Sequence, residues 1–373
     1  MRVFAALLVV AGAAVFLLAR CVEDTGTEPR GSAALRIEAS LVDLSPGDTA
    51  RLMVGAWNAD GKPIPFKRVK WWSSDPEIAI VDSEGLITGV AAGSAWVGAV
   101  LGRVRDSVSV TVGPAILVGA GDIASCDVEG DEETARLLDR IPGTVFTTGD
   151  NAYPDGTAQE FADCYHPSWG RHKHRTRPSI GNHDYRTDRG GPYYEYFGAA
   201  AGPAGKGYYS YDLGGWHIVV WNSETAKQSD PEQLAWLRED LAAHPARCIL
   251  AYWHHPLFSS LSYGGTAGMK PYWEALYEAG AEIVLNGHDH FYERYAPQTP
   301  SGEPDPERGI RQFVVGTGGQ RPAWSPNSPP NREVHDGKTN GVLKLSLFRD
   351  HYTWEFIPAG NGTFTDKGRG ECH

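Results

Sequence analysis

Five apolar runs in this chain each end in a residue able to bind a cation or move a proton. AILVGAGDIA ends in Asp122, TVFTTGDNAY in Asp150 and Tyr153, RPSIGNHD in Asn182 and His183, CILAYWHHP in His254 and His255, and EIVLNGHDH in His288 and His290. Short apolar runs bounded by turn residues read as buried strands, and here they alternate with helical patterns over residues 132–140, 231–243 and 269–279. That alternation is the texture of an α/β domain. In open α/β sheets the carboxyl ends of the strands form the binding crevice, so five deliveries of Asp, Asn, Tyr or His to that edge predict a single site.

Each fragment alone has an ordinary explanation. A Gly-Asp pair marks a turn, Gly-Asn a hairpin, and a lone strand histidine a hydrogen-bonded core group. Together and in order, GDIA, GDNAY, GNHD, AYWHHP and GHDH resemble the five-block signature of the metallophosphoesterase (calcineurin-like) superfamily. The resemblance covers about residues 115–372, and the tyrosine three residues after Asp150 brings it nearest the purple acid phosphatase branch. Ala124 stands where the family has glycine and Ala251 where it has valine; both are small apolar exchanges that touch no ligand.

The resemblance implies an α/β metallophosphoesterase domain, a two-sheet β-sandwich flanked by helices. It implies a first metal held by Asp122, Tyr153 and His290, a second held by Asn182, His254 and His288, and Asp150 bridging them. His183 is implied to protonate the leaving alkoxide or stabilise the transition state, with Asp184 orienting that imidazole. For His255, lining the substrate pocket and capping a strand are equal alternatives.

The residue types support this chemistry without the family name. Hard oxygen donors with imidazoles suit Fe, Mn or Zn, and a carboxylate can bridge two cations ~3.5–4 Å apart. A phenol titrates near ~10 in water, so binding as phenolate calls for a strong Lewis acid. Tyr153 therefore suggests Fe(III) at the first site, with Fe, Zn or Mn at the second. Two adjacent cations lower the pKa of a water, supply hydroxide at neutral pH and screen the charge on a phosphate ester, so the reaction is hydrolysis by in-line attack. The expected substrate is a small phosphate monoester. The alternatives are phosphodiester hydrolysis of nucleotides or phospholipid head groups, and an adhesive protein with an inert catalytic domain. Gly316 to Gly319 read as a turn in preference to a phosphate-binding loop, and no Lys-Ser/Thr follows to make a nucleotide P-loop.

Upstream the style differs. Between residues 34 and 113 short runs with β-branched residues or alternation, such as 35–39, 50–56, 95–100 and 108–112, are separated by turn signals such as Pro46-Gly47 and Asp60-Gly61. This is the pattern of a small β-sandwich. The stretch WWSSDPEIAIVDSEGLITGVAAGSAWVGAV resembles the bacterial Ig-like group 2 domain, which implies an all-β spacer or adhesive module without chemistry. The expected organisation is an export signal at 1–21, a linker at 22–33, the Ig-like sandwich at 34–113 and the catalytic domain at 114–373.

Arg2 precedes an apolar run over residues 3–19 that gives way to Cys21 and a polar stretch, which reads as an export signal. Leu18, Ala19, Arg20 and Cys21 resemble a bacterial lipoprotein cleavage box, making Cys21 a candidate lipid anchor. Arg20 departs from the small residue the box prefers, and a cleaved signal or an uncleaved anchor are the alternatives. In an oxidising compartment Cys126, Cys164, Cys248 and Cys372 are expected to pair, with buried free thiols as the alternative. The favoured pairs are Cys126 with Cys164, both expected in loops, and Cys248 with Cys372. A net charge of −12 argues against general nucleic-acid binding, which depends on clustered cations.

Overall fold

The computed structural model describes residues 32–39, 41–66, 68–261 and 266–373. The apolar run at 3–19 and Cys21 lie outside the described residues. No helix among the described residues is long and apolar enough to cross a membrane.

The N-terminal region is all β. A four-stranded sheet runs in the order Leu41–Leu44, Val104–Val112, Gly93–Leu101, Lys70–Ser73, beside a three-stranded sheet and a two-stranded ribbon. Alternation in the sequence explains the packing: Val108, Val110 and Val112 point inward and are buried with Val97, Ala99, Leu35 and Ile87, while the residues between them face out.

Beyond Gly113 two sheets pack face to face. The six-stranded sheet has the order Thr176–Ser179, Thr144–Thr148, Ala115–Ala120, Gly341–Leu347, His351–Pro358, Lys367–Glu371. The seven-stranded sheet has a parallel centre of Trp216–Val220, Cys248–Tyr252, Ile283–Asn286 and Arg311–Val315. Its strands are buried on both faces, which is why they read as continuous apolar runs. Ile218, Leu250, Ile283 and Leu285 face the other sheet. Val219, Ile249, Ala251 and Val284 face outward onto Leu237, Trp273 and Leu276 of the helices Pro231–Ala243 and Lys270–Glu278.

Both favoured cysteine pairs form, Cys126–Cys164 with Cα atoms 5.0 Å apart and Cys248–Cys372 with 5.5 Å. Cys164 differs from the expectation in one respect: it lies on a wide helical turn, Phe161–Tyr165, and not in a loop. The turn continues from the capped start at Thr157, whose side chain and Glu160 satisfy each other's backbone N–H groups.

The N-terminal domain touches the larger one at a defined edge. Arg349 pairs with Asp75 at 3.0 Å and also with Glu77. Arg349 follows the strand Gly341–Leu347, which runs antiparallel to Ala115–Ala120 with Leu347 opposite Ala115. The contact is therefore at the amino ends of the parallel strands, beside Gly113-Pro114.

Candidate metal centre

Strand register brings the proposed ligands together at the opposite, carboxyl edge. Ala115–Ala120 and Thr144–Thr148 pair in parallel, so the turns that follow carry Asp122 and Asp150 side by side, with Asp122 N–H donating to the Gly149 carbonyl at 3.0 Å. Both aspartates have left-handed backbone, as does His288 (φ 59°, 52° and 73°). Their turns leave no room for neighbouring side chains. A Cβ on Gly181 would lie 2.2 Å from Asp150 Oδ1, which explains the glycine before Asn182.

Two clusters share one carboxylate. In the first, Tyr153 Oη lies 2.9 Å from Asp122 Oδ1, 3.0 Å from Asp150 Oδ2 and 3.2 Å from His290 Nε2. In the second, His254 Nε2 lies 3.0 Å from Asn182 Oδ1, 3.2 Å from Asp150 Oδ2 and 3.3 Å from His288 Nδ1. Asp122 and Asp150 are almost fully buried, a placement that calls for positive partners. The donor set of carboxylate, phenol and amide oxygens with imidazole nitrogens fits two hard or borderline cations, and no thiolate joins it.

Neighbouring groups fix which imidazole nitrogen faces inward. His254 donates Nδ1–H to the Thr148 carbonyl at 2.8 Å, and His290 donates Nδ1–H to the Arg321 carbonyl at 3.3 Å. Each ring keeps Nε2 for the centre. Asp122 and Asp150 also accept backbone N–H groups, from His288 at 2.8 Å and His183 at 2.7 Å.

The electrostatics without a cation show what one would have to overcome. Burial, then the charges of Asp122 and Asp150, hold the Tyr153 phenol well above its usual range. Only a cation strong enough to outweigh both carboxylates draws off that proton. Burial disfavours charge on His254, yet the Asp150 carboxylate outweighs it and pushes the imidazole up to about 10. A cation and a proton therefore compete for this nitrogen, and metal uptake releases protons.

His183 Nδ1–H donates to the Pro154 carbonyl at 2.5 Å, and its ring packs 4.2 Å from that of Tyr153. Its Nε2 faces the centre 3.9 Å from Asp150 Oδ2. Asp184 is not the partner of this ring, contrary to expectation. Its buried carboxylate accepts N–H groups from Gly181 at 3.0 Å, Asn151 at 2.9 Å and Ala152 at 3.2 Å, plus the Asn151 amide at 2.9 Å. Asp184 therefore holds the Asp150 loop against the Asn182 loop, and the Pro154 carbonyl orients His183.

His255 is buried behind the second cluster, its ring 4.3 Å from that of His288. Its Nδ1 lies 2.9 Å from Ser223 Oγ and 3.3 Å from Glu224 Oε1, and Glu224 in turn pairs with Lys227 at 2.8 Å. This segment lies outside the five blocks. The signal was present, since the strand Trp216–Val220 is a sixth apolar run that delivers polar residues, Asn222 to Glu224, at its carboxyl end.

The glycines at 316–319 also differ from the plain turn expected. Gly121 N–H donates to the Val315 carbonyl and Gly318 N–H to the Gly121 carbonyl, both at 2.8 Å, while Gln320 N–H reaches the Asp122 carbonyl at 3.0 Å. A Cβ on Gly316 would lie 2.1 Å from the Asp289 carbonyl oxygen and 2.8 Å from Asp122 Oδ2. The segment is a strap that holds the Asp122 turn by close backbone approach.

Among the described residues, Asp122, Asp150 and His254 form one group of ligand atoms within 4.8 Å of one another, and His254, His255 and His288 form another. The family model for calcineurin-like phosphoesterase matches residues 117–292, and that for bacterial Ig-like domain (group 2) matches residues 34–112. Over 224 residues the chain is 28% identical to purple acid phosphatase 15 of Arabidopsis thaliana, covering 50% of this chain and 42% of that protein. Over 159 residues it is 30% identical to purple acid phosphatase 21 of the same plant, covering 39% of this chain and 36% of that protein. The chain thus spans less than half the length of these relatives. The structure of purple acid phosphatase PPD1 from yellow lupin (Lupinus luteus) seeds is similar at a TM-score of 0.55 and 16% identity, covering 87% of this chain and 68% of that one, a likeness of fold. With Asp122, Asp150, Asn182, His254 and His288 gathered at one edge of that fold, the chain joins a region similar to the bacterial Ig-like domain (group 2) to one similar to calcineurin-like phosphoesterase.

Proposed function

We propose that this chain is a two-metal hydrolase of small phosphate monoesters that works outside the cytoplasm. The observation that carries this reading is the position of Asp150, whose Oδ2 lies 3.0 Å from Tyr153 Oη of one cluster and 3.2 Å from His254 Nε2 of the other. A carboxylate so placed is built to bridge. Asp122, Tyr153 and His290 would hold the first cation, and Asn182, His254 and His288 the second. The phenol at the first site favours Fe(III) there, with Fe, Zn or Mn at the second. Two such cations supply Lewis acidity at the phosphoryl oxygens and lower the pKa of a water far enough to provide hydroxide at neutral pH.

The remaining steps fall to the chain's own side chains. With Nδ1 committed to Pro154, His183 presents Nε2 to the centre and is the proton donor for the leaving alkoxide, a role that contributes ~10²- to 10⁴-fold. Asp184 keeps His183 in register by tying its turn to the Asp150 loop. The two disulfides support export, since such bonds persist in oxidising compartments. A lipid anchor at Cys21 would hold the enzyme at the cell surface.

The test is a side-by-side assay of the purified full chain on p-nitrophenyl phosphate and bis(p-nitrophenyl) phosphate. Faster turnover of the monoester is expected. Preference for the diester would make it a phosphodiesterase, and inactivity toward both with a full metal complement would favour the adhesive role.

A further inference from the structure

Trp324 is 65% exposed, and among the described residues after Gly113 it is the one large apolar side chain left so open to water. A single exposed apolar residue on a loose loop carries no meaning, but this one is fixed to the metal centre. Ala323 N–H donates to the backbone carbonyl of His290 at 2.7 Å, and the Arg321 carbonyl accepts from the His290 ring. Trp324 thus starts about 3.8 Å along the chain from a residue bonded to a proposed ligand's own backbone.

Its other side is fixed as well. Ser325 Oγ donates to the Ser260 carbonyl, which Asn327 Nδ2 also reaches at 2.9 Å, and Arg332 clamps the Asn327 carbonyl at 2.6 Å. Ser260 belongs to the loop that follows His254. The segment therefore bridges the loop of a first-site ligand and the loop after a second-site ligand, along the rim of the centre. Pro322 and Pro326 stiffen it by fixing φ on either side of the tryptophan. Behind it, a Cβ on Gly337 would lie 2.3 Å from the Ala323 carbonyl oxygen and 3.1 Å from Trp324 Cα, so the backbone has no room to retreat. An exposed indole carried on so tightly held a backbone at the rim of a phosphate-ester site suits stacking on a flat ring, an interaction that tolerates many ring identities.

We propose that Trp324 is the specificity-determining platform for the leaving group, and that the substrates of this centre are phosphate monoesters of ring-bearing alcohols, aryl or nucleoside. The proposal rests on the phosphomonoesterase reading above. In the reaction the oxygen of water bonds to phosphorus as the ester P–O bond breaks. The leaving oxygen takes up a proton, and inorganic phosphate and the free ring-bearing alcohol depart.

The experiment uses the metal-loaded full chain and measures KM and kcat separately for phenyl phosphate, adenosine 5′-monophosphate and glycerol 2-phosphate. Trp324→Ala is expected to raise KM for the ring-bearing esters about 10-fold, leave KM for glycerol 2-phosphate unchanged, and spare kcat. Trp324→Phe should recover most of the loss. A rise confined to phenyl phosphate would narrow the class to aryl esters, and one confined to the nucleotide would narrow it to nucleosides. An unchanged KM for both ring-bearing esters, or an equal rise on all three substrates, would overturn the platform while leaving the phosphatase reading intact. A parent protein inactive on all three would overturn that reading, and the platform with it.

Discussion

Asp122, Asp150 and His288 occupy left-handed backbone, which costs of order 1–3 kcal/mol at each non-glycine position and persists where the surroundings over-determine it. Asp and His tolerate that region better than most residues, and the kink turns side chain and backbone together toward the crevice. The gathering of these three residues at one edge was therefore legible in the sequence, because residue types able to bind cations are also those that fit the turn. Asp184 and His255 were less legible. Their partners are backbone N–H groups of the Asp150 loop in one case and the Ser223-Glu224 segment in the other, which only the assembled fold brings near. Tyr153 gives the sharpest test at this scale. A tyrosinate on Fe(III) absorbs visible light by charge transfer, so iron-loaded protein should be violet to pink and Tyr153→Phe colourless with part of its activity retained. Visible absorption spectra of both proteins decide this. A colourless parent with a full complement of ferric iron would exclude the phenolate ligand.

At the scale of elements, the strands of the parallel sheets announced themselves as apolar runs because both of their faces are buried. The helices did so through their periodicity. What the runs could not show was that residues 316–319 strap the Asp122 turn, because glycine permits a plain turn and a close approach equally. The strap carries its own prediction. Gly316→Ala sets a methyl group against the Asp289 carbonyl and Asp122 Oδ2, so it should cost about 1–3 kcal/mol of stability and weaken the first metal site more than the second. Thermal unfolding and metal analysis of the variant check this. Parental stability and metal content would mean the strap yields freely.

The whole molecule sets its N-terminal domain and its candidate metal centre at opposite ends of one sheet direction. The N-terminal domain meets the amino ends of the parallel strands through Asp75, Glu77 and Arg349, and every proposed ligand follows a carboxyl end. The composition change near Gly113 made the two domains legible, whereas their placement depends on the antiparallel return of Gly341–Leu347 and was not. Residues from Pro114 onward should therefore fold alone and keep kcat/KM for an aryl phosphate within about 2-fold of the full chain, since domains with their own core are generally autonomous. A folded, metal-loaded but inactive fragment would show that the N-terminal domain acts at a distance. Whether one dinuclear centre is bridged by Asp150 is decided by metal analysis of the full chain and its Asp150→Asn variant, with turnover measured on the same samples. Two metal ions per parent chain are expected, with loss of metal from both sites in the variant and a fall in turnover of at least about 10²-fold while the fold stays intact by circular dichroism; metal content and turnover equal to the parent's would rule the bridge out.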